Sequence, residues 1–555
     1  MNTAAKGIID SNRTSGINQS FWTQSTQPII SEKLNRNIET DILIIGGGIS
    51  GITTAYSLLK AGRKVTLVED GYIGSGETGR TTAHLTCALD QRYFELEKLF
   101  GKEKASLVAN SHLEAIQFIE NTLKLENIDC NFKRVPGYLF LSGNDSKETL
   151  TKEYEATKIA GLLTEMLEQV PDLQAEEGKW CIKFPEQGQI HIMKYLKGLT
   201  DAIIAMGGSI FTETRVEDVS NYGAKANGFD ITANHIVVAT NTPINDMVVM
   251  HTKQYAYRTY VVAAKIPKVS LPYALWWDTG DQESKWVGAP YHYARLEEFD
   301  EQYDLLILGG EDHKVGQAES ECILEEERYK KLIDWSKKRF PAMMDIIYKW
   351  SGQVVEPVDS LPYIGKNPGN DNIYIITGHS GNGITNGTLG GIIITDIILG
   401  NENAKIDLFS PSRITLKAAK EYLQEVGNMV FQYGDWITKE DVENIEQLLP
   451  GQGGIVSTGI KKIAAYRDEM NNFHTCSAVC PHLGAILHWN AEEKSFDCPA
   501  HGSRFTAEGI VINGPANCNL KKVELKSKIK DVGISPNSST IIDEILPVEP
   551  KIQPL

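Results

Sequence analysis

Four side chains near the C-terminus have the types and the spacing of a metal site. Cys480 and His482 form a C-x-H box, and Cys498 and His501 form a C-x-x-H box after fifteen intervening residues. Thiolates and imidazoles are the ligands of both zinc and iron–sulfur sites. Eight cysteines in 555 residues do not suggest a disulfide scaffold, and four of them lie close together near the C-terminus. This part of the chain is therefore predicted to bind a metal.

The stretch from Asp41 to Glu69 has the pattern of a dinucleotide-binding unit. An apolar run typical of a buried strand leads into Gly46, Gly48 and Gly51, which have G-x-G-x-x-G spacing; a helical pattern and a second strand follow. Gly46 permits a tight turn, Gly48 lets backbone amides approach a pyrophosphate, and Gly51 lets the helix pack closely on the strand. Glu69, eighteen residues after Gly51, can accept hydrogen bonds from an adenosine ribose.

Composition and charge narrow the class of protein. The length suits two or three domains, and 41% apolar with 23% charged residues is ordinary for a soluble globular chain. A net charge of −17 argues against a nucleic-acid partner. No apolar run reaches the ~18 residues that a spanning helix needs, and the first residues lack the apolar core of a signal peptide. We therefore expect a cytoplasmic protein without a transmembrane segment.

The remaining patterns predict the elements that position these motifs. An N-terminal arm, residues 1–38, is expected to be anchored by Phe21 and Trp22. Residues 255–310, rich in Tyr, Val and Trp, favour a sheet separate from the nucleotide fold, and the last hundred residues favour short strands. Helices are predicted over 91–126, 148–167, 192–206 and 320–338, and strands over 209–212 and 229–240.

Four separate stretches resemble the glycine oxidase, sarcosine oxidase and D-amino-acid oxidase flavoproteins. They are the glycine unit, GSGETGRTT at 74–82, TRV at 214–216 with IVVAT at 236–240, and the series WSG at 350–352, DSLPYIG at 359–365 and GHSGNGIT at 378–385. The resemblance implies FAD as cofactor. It implies FAD-binding roles for Gly46, Gly48, Gly51, Glu69, Thr78, Arg80, Thr81, Val216, Ala239, Gly352, Gly381, Asn382, Gly383, Ile384 and Thr385.

The same resemblance implies where a substrate would bind. In this family, Tyr and Arg residues of the β-rich region often hold a substrate carboxylate, and the guanidinium fork suits that contact. Arg295 is the first candidate here and Arg258 the second, with an exposed position on a strand as the alternative for each. Some relatives attach the flavin covalently through a His in a nearby loop, for which His84 is the candidate.

The flanks of the two metal boxes resemble a Rieske [2Fe–2S] domain, in which two Cys hold one iron and two His the other. The resembling segments are HLG at 482–484, HGSRF at 501–505 and GPA at 514–516. The chain departs from many Rieske proteins at three positions. Ala485 and Ala500 stand where a disulfide often joins the loops, and Phe505 replaces the Tyr of high-potential members. Ser503 is retained and can still donate to a cluster sulfur.

Together the two halves resemble bacterial FAD-dependent oxidoreductases with a C-terminal Rieske domain. The implied fold is a Rossmann-type α/β domain with a β-rich substrate domain, then an all-β Rieske domain. The predicted boundaries are 39–403 for the flavin part, 404–450 for a helical connector, 451–535 for the Rieske part and 536–555 for a tail. The implied activity is oxidation of the C–N bond of an amine or amino acid, with the electrons passing through the Rieske cluster and an unknown external electron acceptor or donor. Reverse electron flow and a non-enzymatic redox carrier or sensor remain alternatives.

Overall fold

The computed structural model describes residues 15–524, apart from 174–178, 246–249, 285–289, 318–322, 437–440 and 459–460. The predicted tail at 536–555 lies outside these residues. None of the described helices combines the length and the apolar character that crossing a bilayer needs. The helices are α1 (Phe21–Ser25), α2 (Ile49–Lys60), α3 (Tyr93–Phe100), α4 (Lys102–Glu126), α5 (Lys147–Ile159), α6 (Ile192–Ala205), α7 (Glu325–Arg339), α8 (Gly383–Leu399), α9 (Lys405–Phe409) and α10 (Ala419–Gln432).

The nucleotide unit lies in an eight-stranded sheet. Its path runs β16-β17-β10-β1-β2-β7, with β8 and β9 attached through β10, and the four pairings among β17, β10, β1, β2 and β7 are parallel. Parallel strands are buried on both faces, which explains the continuous apolar run in β1. The strands are β1 (Ile38–Ile45), β2 (Val65–Val68), β7 (Ser209–Phe211), β8 (Val216–Ser220), β9 (Gly223–Ala226), β10 (Phe229–Val238), β16 (Tyr363–Lys366) and β17 (Ile373–Thr377).

The predicted separate sheet is present and has nine strands. Its path is β15-β11-β14-β13-β12-β4-β6-β3, with β5 paired to β6, and all pairings but β12–β4 are antiparallel. Four of its strands come from earlier in the chain than the β-rich pattern. The strands are β3 (His84–Leu85), β4 (Lys133–Phe140), β5 (Glu165–Gln169), β6 (Lys179–Gln189), β11 (Gln254–Pro267), β12 (Leu275–Asp278), β13 (Tyr293–Glu298), β14 (Tyr303–Lys314) and β15 (Ile346–Pro357).

Two predicted helices are wrong in extent. The helix expected over 91–126 is divided into α3 and α4 at Gly101, whose φ of +87° favours glycine. The helix expected over 148–167 ends at Ile159, and Gly161, with φ of +86°, turns the chain toward β5. At both places a glycine with positive φ ends the helix, although the apolar residues continue at helical spacing.

Helices α2 and α8 pack directly against each other through small residues. A Cβ atom on Gly387 would lie 2.6 Å from Ile49, and one on Gly391 would lie 2.6 Å from Thr53. The close packing brings both helix N-termini, which begin after Gly48 and Asn382, to the same end of the eight-stranded sheet. Free amides at helix N-termini favour negatively charged ligands at that end.

The C-terminal strands form two small antiparallel sheets, β18-β19-β20 and β21-β22-β23-β24. Their buried core includes Cys480, Cys498 and Phe505. The connector includes α9 and α10, and Phe21 and Trp22 of the arm are buried as expected. The strands are β18 (Gly453–Thr458), β19 (Lys461–Arg467), β20 (Phe473–Ser477), β21 (His488–Asn490), β22 (Ser495–Asp497), β23 (Arg504–Thr506) and β24 (Val511–Asn513).

Candidate active site and metal centre

A cavity of about 770 Å³ lies between the two large sheets. It is bounded by the ends of β1, β2 and β10, by the N-termini of α2 and α8, and by a wall of strands from the nine-stranded sheet. All the predicted FAD-binding residues line it except Gly51 and Thr385. Thr385 instead lies 3.1 Å from Nδ1 of buried His112, through its hydroxyl.

Each of the three motif positions requires glycine for a different steric reason. A Cβ on Gly46, whose φ is +110°, would lie 2.4 Å from the Ala239 carbonyl oxygen. A Cβ on Gly51 would lie 1.9 Å from the Gly46 carbonyl oxygen, so this glycine serves packing and not ligand contact. Gly48 lines the cavity with Thr78, whose hydroxyl accepts the Ile49 amide over 3.1 Å. The unit thus presents a close backbone surface that fits a pyrophosphate.

Glu69 ends β2 inside the cavity. Its carboxylate accepts the Gly47 amide over 2.6 Å and the Gly71 amide over 2.8 Å. Burial, together with the neighbouring Asp70 carboxylate, raises the pKa of Glu69 well above its usual range. These two amides fix the carboxylate at the strand end where the motif expects an adenosine ribose.

Arg80 lines the cavity, but its guanidinium is turned toward the junction of the two halves. It donates to the carbonyl oxygens of Ser351, Gly16 and Asn18 over 2.6, 2.6 and 2.8 Å. It also lies 3.4 Å from the Glu493 carboxylate, which belongs to the Rieske half. Arg80 therefore joins the arm, the flavin half and the Rieske half.

The two arginines expected to bind substrate lie outside the cavity lining. Each of the three guanidinium nitrogens of Arg295 has a hydrogen-bond partner, among them the carbonyl oxygens of Ala83 and Ile190 and the Glu297 carboxylate. Arg258 is 1% exposed and pairs with Glu493 over 3.0 Å. The expectation that Arg295 and Arg258 bind the substrate is therefore corrected. Both side chains are buried away from the cavity and pair with other groups of the protein.

Strand alternation explains the position of Arg258. Tyr255, Tyr257 and Thr259 of β11 line the cavity, so Arg258 between them faces the opposite side of the sheet. Trp277, Tyr291 and Tyr293 extend the aromatic lining. Among the carboxylates of the lining that the sequence motifs did not single out are Asp90, Asp312 and Glu356.

His84, the candidate for covalent attachment, lines the cavity and has partners on both ring nitrogens. Nδ1 lies 3.0 Å from the Thr82 hydroxyl, and Nε2 lies 3.2 Å from the Ala294 carbonyl oxygen. Burial, with the charge of nearby Arg295, lowers the pKa of His84 to about 3. The imidazole is therefore neutral at physiological pH.

The four metal-box side chains come together in pairs. The Cys480 and Cys498 thiols share a hydrogen bond, which lowers the pKa of Cys480 to about 7 and raises that of Cys498. The His482 and His501 ring centroids are 4.9 Å apart. Within the described residues, no three His, Cys, Asp or Glu side chains converge as one metal ion would need. A thiol pair beside an imidazole pair fits a two-iron cluster better than a single zinc ion.

The loops around this centre contain the predicted departures. Ala485 and Phe505 are both buried in the core around the metal boxes. An alanine has no thiol for a disulfide, and a phenylalanine has no hydroxyl to donate to a cluster sulfur. The Ser503 hydroxyl accepts the Ala516 amide over 3.0 Å and also forms a hydrogen bond to Cys480 that lowers its pKa. Ser503 thus links the third cluster loop to a candidate ligand thiol.

The metal centre lies against the flavin half. The His251 ring centroid is 4.9 Å from that of His482 and 6.4 Å from that of His501. Gln353, which lines the cavity, donates to the Gly502 carbonyl oxygen over 3.0 Å. Gly502 follows His501 directly, so β15 borders the cavity and also reaches a cluster loop through the Gln353 side chain. The chain positions of these residues gave no local signal of this contact.

The turn between β21 and β22 inserts Glu493 into the flavin half. The carboxylate is 1% exposed and contacts Arg80, Arg258 and the Ser351 hydroxyl. Burial opposes the charged form, but the neighbouring guanidinium groups hold the pKa of Glu493 below its usual value. A buried charge with these partners fixes one position of the Rieske half.

Comparisons with known proteins agree with both halves. A family model described as FAD dependent oxidoreductase (DAO) matches residues 41–397, and one described as Rieske [2Fe-2S] domain matches residues 438–524. The chain belongs to the DAO family of FAD-dependent oxidoreductases and carries a Rieske domain. This DAO-family enzyme is 30% identical over 518 residues to the Rieske 2Fe-2S iron-sulfur protein YhfW of Bacillus subtilis, covering 91% of this chain and 98% of that protein.

Two further relatives match the flavin half of this DAO-family enzyme. Gamma-glutamylputrescine oxidoreductase of Escherichia coli is 24% identical over 399 residues, covering 68% of this chain and 88% of that protein. The crystal structure of glycine oxidase from Geobacillus kaustophilus has a TM-score of 0.56 at 18% identity, covering 68% of this chain and 99% of that one. The glycine oxidase-like fold is thereby confirmed.

Both cofactor predictions follow from family membership and fit the residues. The DAO domain implies FAD at the glycine unit, and the Rieske domain implies a [2Fe–2S] cluster at the thiol and imidazole pairs. The side chains suited to hold that cluster are Cys480, His482, Cys498 and His501. The zinc alternative is thus set aside.

Proposed function

We propose that this oxidoreductase oxidises the C–N bond of an amine or amino acid and passes the electrons to the cluster in its own Rieske domain. Gln353 carries the proposal, because its strand, β15, borders the cofactor cavity while its side chain donates to the carbonyl beside His501. FAD, when bound, accepts two electrons from a C–H bond next to nitrogen, and the cluster carries one electron at a time.

The residues of the chain supply binding, orientation and exclusion of water. The glycine unit and Glu69 would hold the nucleotide end. The α8 N-terminus, with Gly381 to Ile384 in the lining, would place amide donors where negative charge develops. The aromatic strand wall would cover the substrate. We assign no general base, because the contacts of these residues support binding and orientation of FAD and substrate and not proton transfer.

An anaerobic screen tests the proposal directly. The purified holoprotein is mixed with amines and amino acids, while flavin absorbance and the electron paramagnetic resonance of the cluster are followed. We expect flavin bleaching first and the signal of a reduced cluster afterwards. If an external donor reduces the cluster first and no amine or amino acid bleaches the flavin, electrons run in the reverse direction and the proposal fails.

A variant of Gln353 tests the route. Gln353→Leu removes the hydrogen bond to the Gly502 carbonyl without changing the side-chain length greatly. We expect bleaching to proceed and cluster reduction to slow. Gln302→Leu, at an exposed turn of the same sheet, is the control. Equal rates of cluster reduction in both variants would exclude Gln353 from the route.

A further inference from the structure

The strand wall of the cavity is aromatic and contains hydroxyl groups. Tyr255 and Tyr257 of β11 face it on alternate positions, and Trp277, Tyr291 and Tyr293 complete it. The Tyr291 and Tyr293 rings are 5.5 Å apart, and the Tyr293 hydroxyl lies 2.9 Å from that of Thr259. Aromatic faces carry negative electrostatic potential and attract cations when water is excluded.

Three carboxylates meet at this wall. Asp90 accepts the Tyr291 hydroxyl over 2.6 Å and the Gly381 amide over 2.8 Å, so it lies at the glycine loop before α8. Glu356 hydrogen-bonds Ser380 of the same loop. Asp312 hydrogen-bonds Thr259, and its Oδ1 atom is buried with no hydrogen-bond partner among the residues that the structure describes. Asp312 lines the cavity, so a donor on a ligand that binds there could reach this carboxylate with a small side-chain movement and satisfy it.

The three carboxyl groups disfavour one another's charged forms. Burial, and then the charge of Asp90, raises the pKa of Asp312 to about 7 and that of Glu356 to about 8. A positive group among them would stabilise their charged forms. The described lining from β11 through β15 contains no Lys or Arg, whereas Arg80, Arg92, Lys98 and Arg215 line the same cavity from outside this wall. Arg258 and Arg295 have their partners elsewhere.

We propose that this wall selects a cationic amine with no carboxylate beside its amino group, and that Asp312 is the anchor for the ammonium. Asp90 and Glu356 extend the negative surface, and the tyrosine and tryptophan rings enclose the cation. This inference rests on the proposed function, since it assigns the substrate class of that same cavity. It replaces the carboxylate-binding arginines that the family resemblance implied.

Matched pairs of compounds distinguish the effect of the ammonium group from the effect of a neighbouring carboxylate. Each amine is compared with the amino acid that carries one additional carboxylate: n-butylamine with norvaline, benzylamine with phenylglycine, and 1,4-diaminobutane with ornithine. Dissociation constants are measured anaerobically on the holoprotein from perturbation of the flavin spectrum, and bleaching is recorded separately. We expect the amine of each pair to bind about tenfold or more tightly.

The outcomes distinguish this inference from the proposed function. If the amino acids bind more tightly and bleach the flavin, the cationic selection is overturned while the proposed C–N oxidation stands. If the amines bind more tightly without bleaching, the selection stands and the oxidation fails. Absence of binding by all six compounds overturns the selection.

Variants locate the anchor. Asp312→Asn keeps the shape and removes the charge, so we expect amine affinity to fall about tenfold to a hundredfold. Retained flavin absorbance and an unchanged cluster signal show that the variant is folded. Asp230→Asn, at an exposed position on the other sheet, is the control and should bind amines like the parent. Equal amine affinity in Asp312→Asn and the parent overturns the anchor.

Discussion

The position of Glu69 after the second strand could be predicted from the sequence, but the hydrogen bonds of its carboxylate could not. The sequence placed it at the end of β2, and the structure adds the Gly47 and Gly71 amides that hold its carboxylate. We predict that Glu69→Ala weakens FAD binding by about 1.5–3 kcal/mol, because the substitution removes the carboxyl group that would bond the ribose and that orders the Gly47 and Gly71 amides. Titration of the apoprotein with FAD measures this, and an unchanged dissociation constant would place Glu69 away from the ribose.

Phe505 is the residue from which a cluster potential can be predicted. Hydrogen bonds to cluster sulfurs favour the reduced state, and a buried Phe supplies none. We expect a midpoint of about −150 to 0 mV, in the lower part of the Rieske range. Phe505→Tyr should raise it, whereas Phe473→Tyr, at a partly exposed position of β20, should not. A redox titration followed by electron paramagnetic resonance decides; an unmoved midpoint in Phe505→Tyr would mean that the hydroxyl reaches no ligand sulfur.

The glycine motif and the metal boxes could be predicted because their chemistry is local in sequence. Close backbone approach demands glycine, and metal ligation demands thiols and imidazoles at fixed spacing. The cavity carboxylates could not be predicted from the sequence, since Asp90 and Asp312 belong to no motif. They come together only in the folded protein, where β14 lies near the loop after β3. For Arg258, strand alternation beside Tyr257 and Thr259 was an available signal that the family resemblance overrode.

At the scale of elements, the turn between β21 and β22 fixes the Rieske half to the flavin half. We predict that Glu493→Gln destabilises the protein by about 3–5 kcal/mol, because Arg80 and Arg258 lose their buried carboxylate. Thermal unfolding measures the change. Glu492→Gln is the matched control, since its partner Lys349 is substantially exposed. Similar unfolding temperatures for Glu493→Gln and the control would refute the role of the buried contact.

The same contact has a defined pH dependence. The pKa of Glu493 is lower in the folded protein than its ordinary value, so its stabilisation is present above about pH 4.3 and is lost as the pH falls through the folded pKa. The sequence could not predict this contact. Glu493 lies 413 positions from Arg80, and a glutamate in a hairpin turn is ordinarily exposed.

At the scale of the whole molecule, the two cofactors have separate ligands although the halves touch. Cys480→Ser should therefore abolish the cluster absorbance and bound iron while FAD stays bound. The Rieske segment 510–514 lines the same cavity, so this variant also tests how far cluster loss disturbs that wall. Loss of both cofactors from a soluble, folded variant would contradict independent sites. Absorbance, iron content and FAD release by denaturation give the three readouts.

The contact of His251 with the imidazole edge of the metal centre has a kinetic consequence. A separate electron carrier must first diffuse to its donor and dock, so its transfer rate rises with concentration. Here the two cofactor sites are parts of one chain whose halves touch at these rings, which gives the sites a fixed effective concentration. The first electron should therefore cross at a rate that is unchanged when the enzyme is diluted about a hundredfold in a rapid-mixing experiment. A rate proportional to protein concentration would mean that the exchange occurs between molecules.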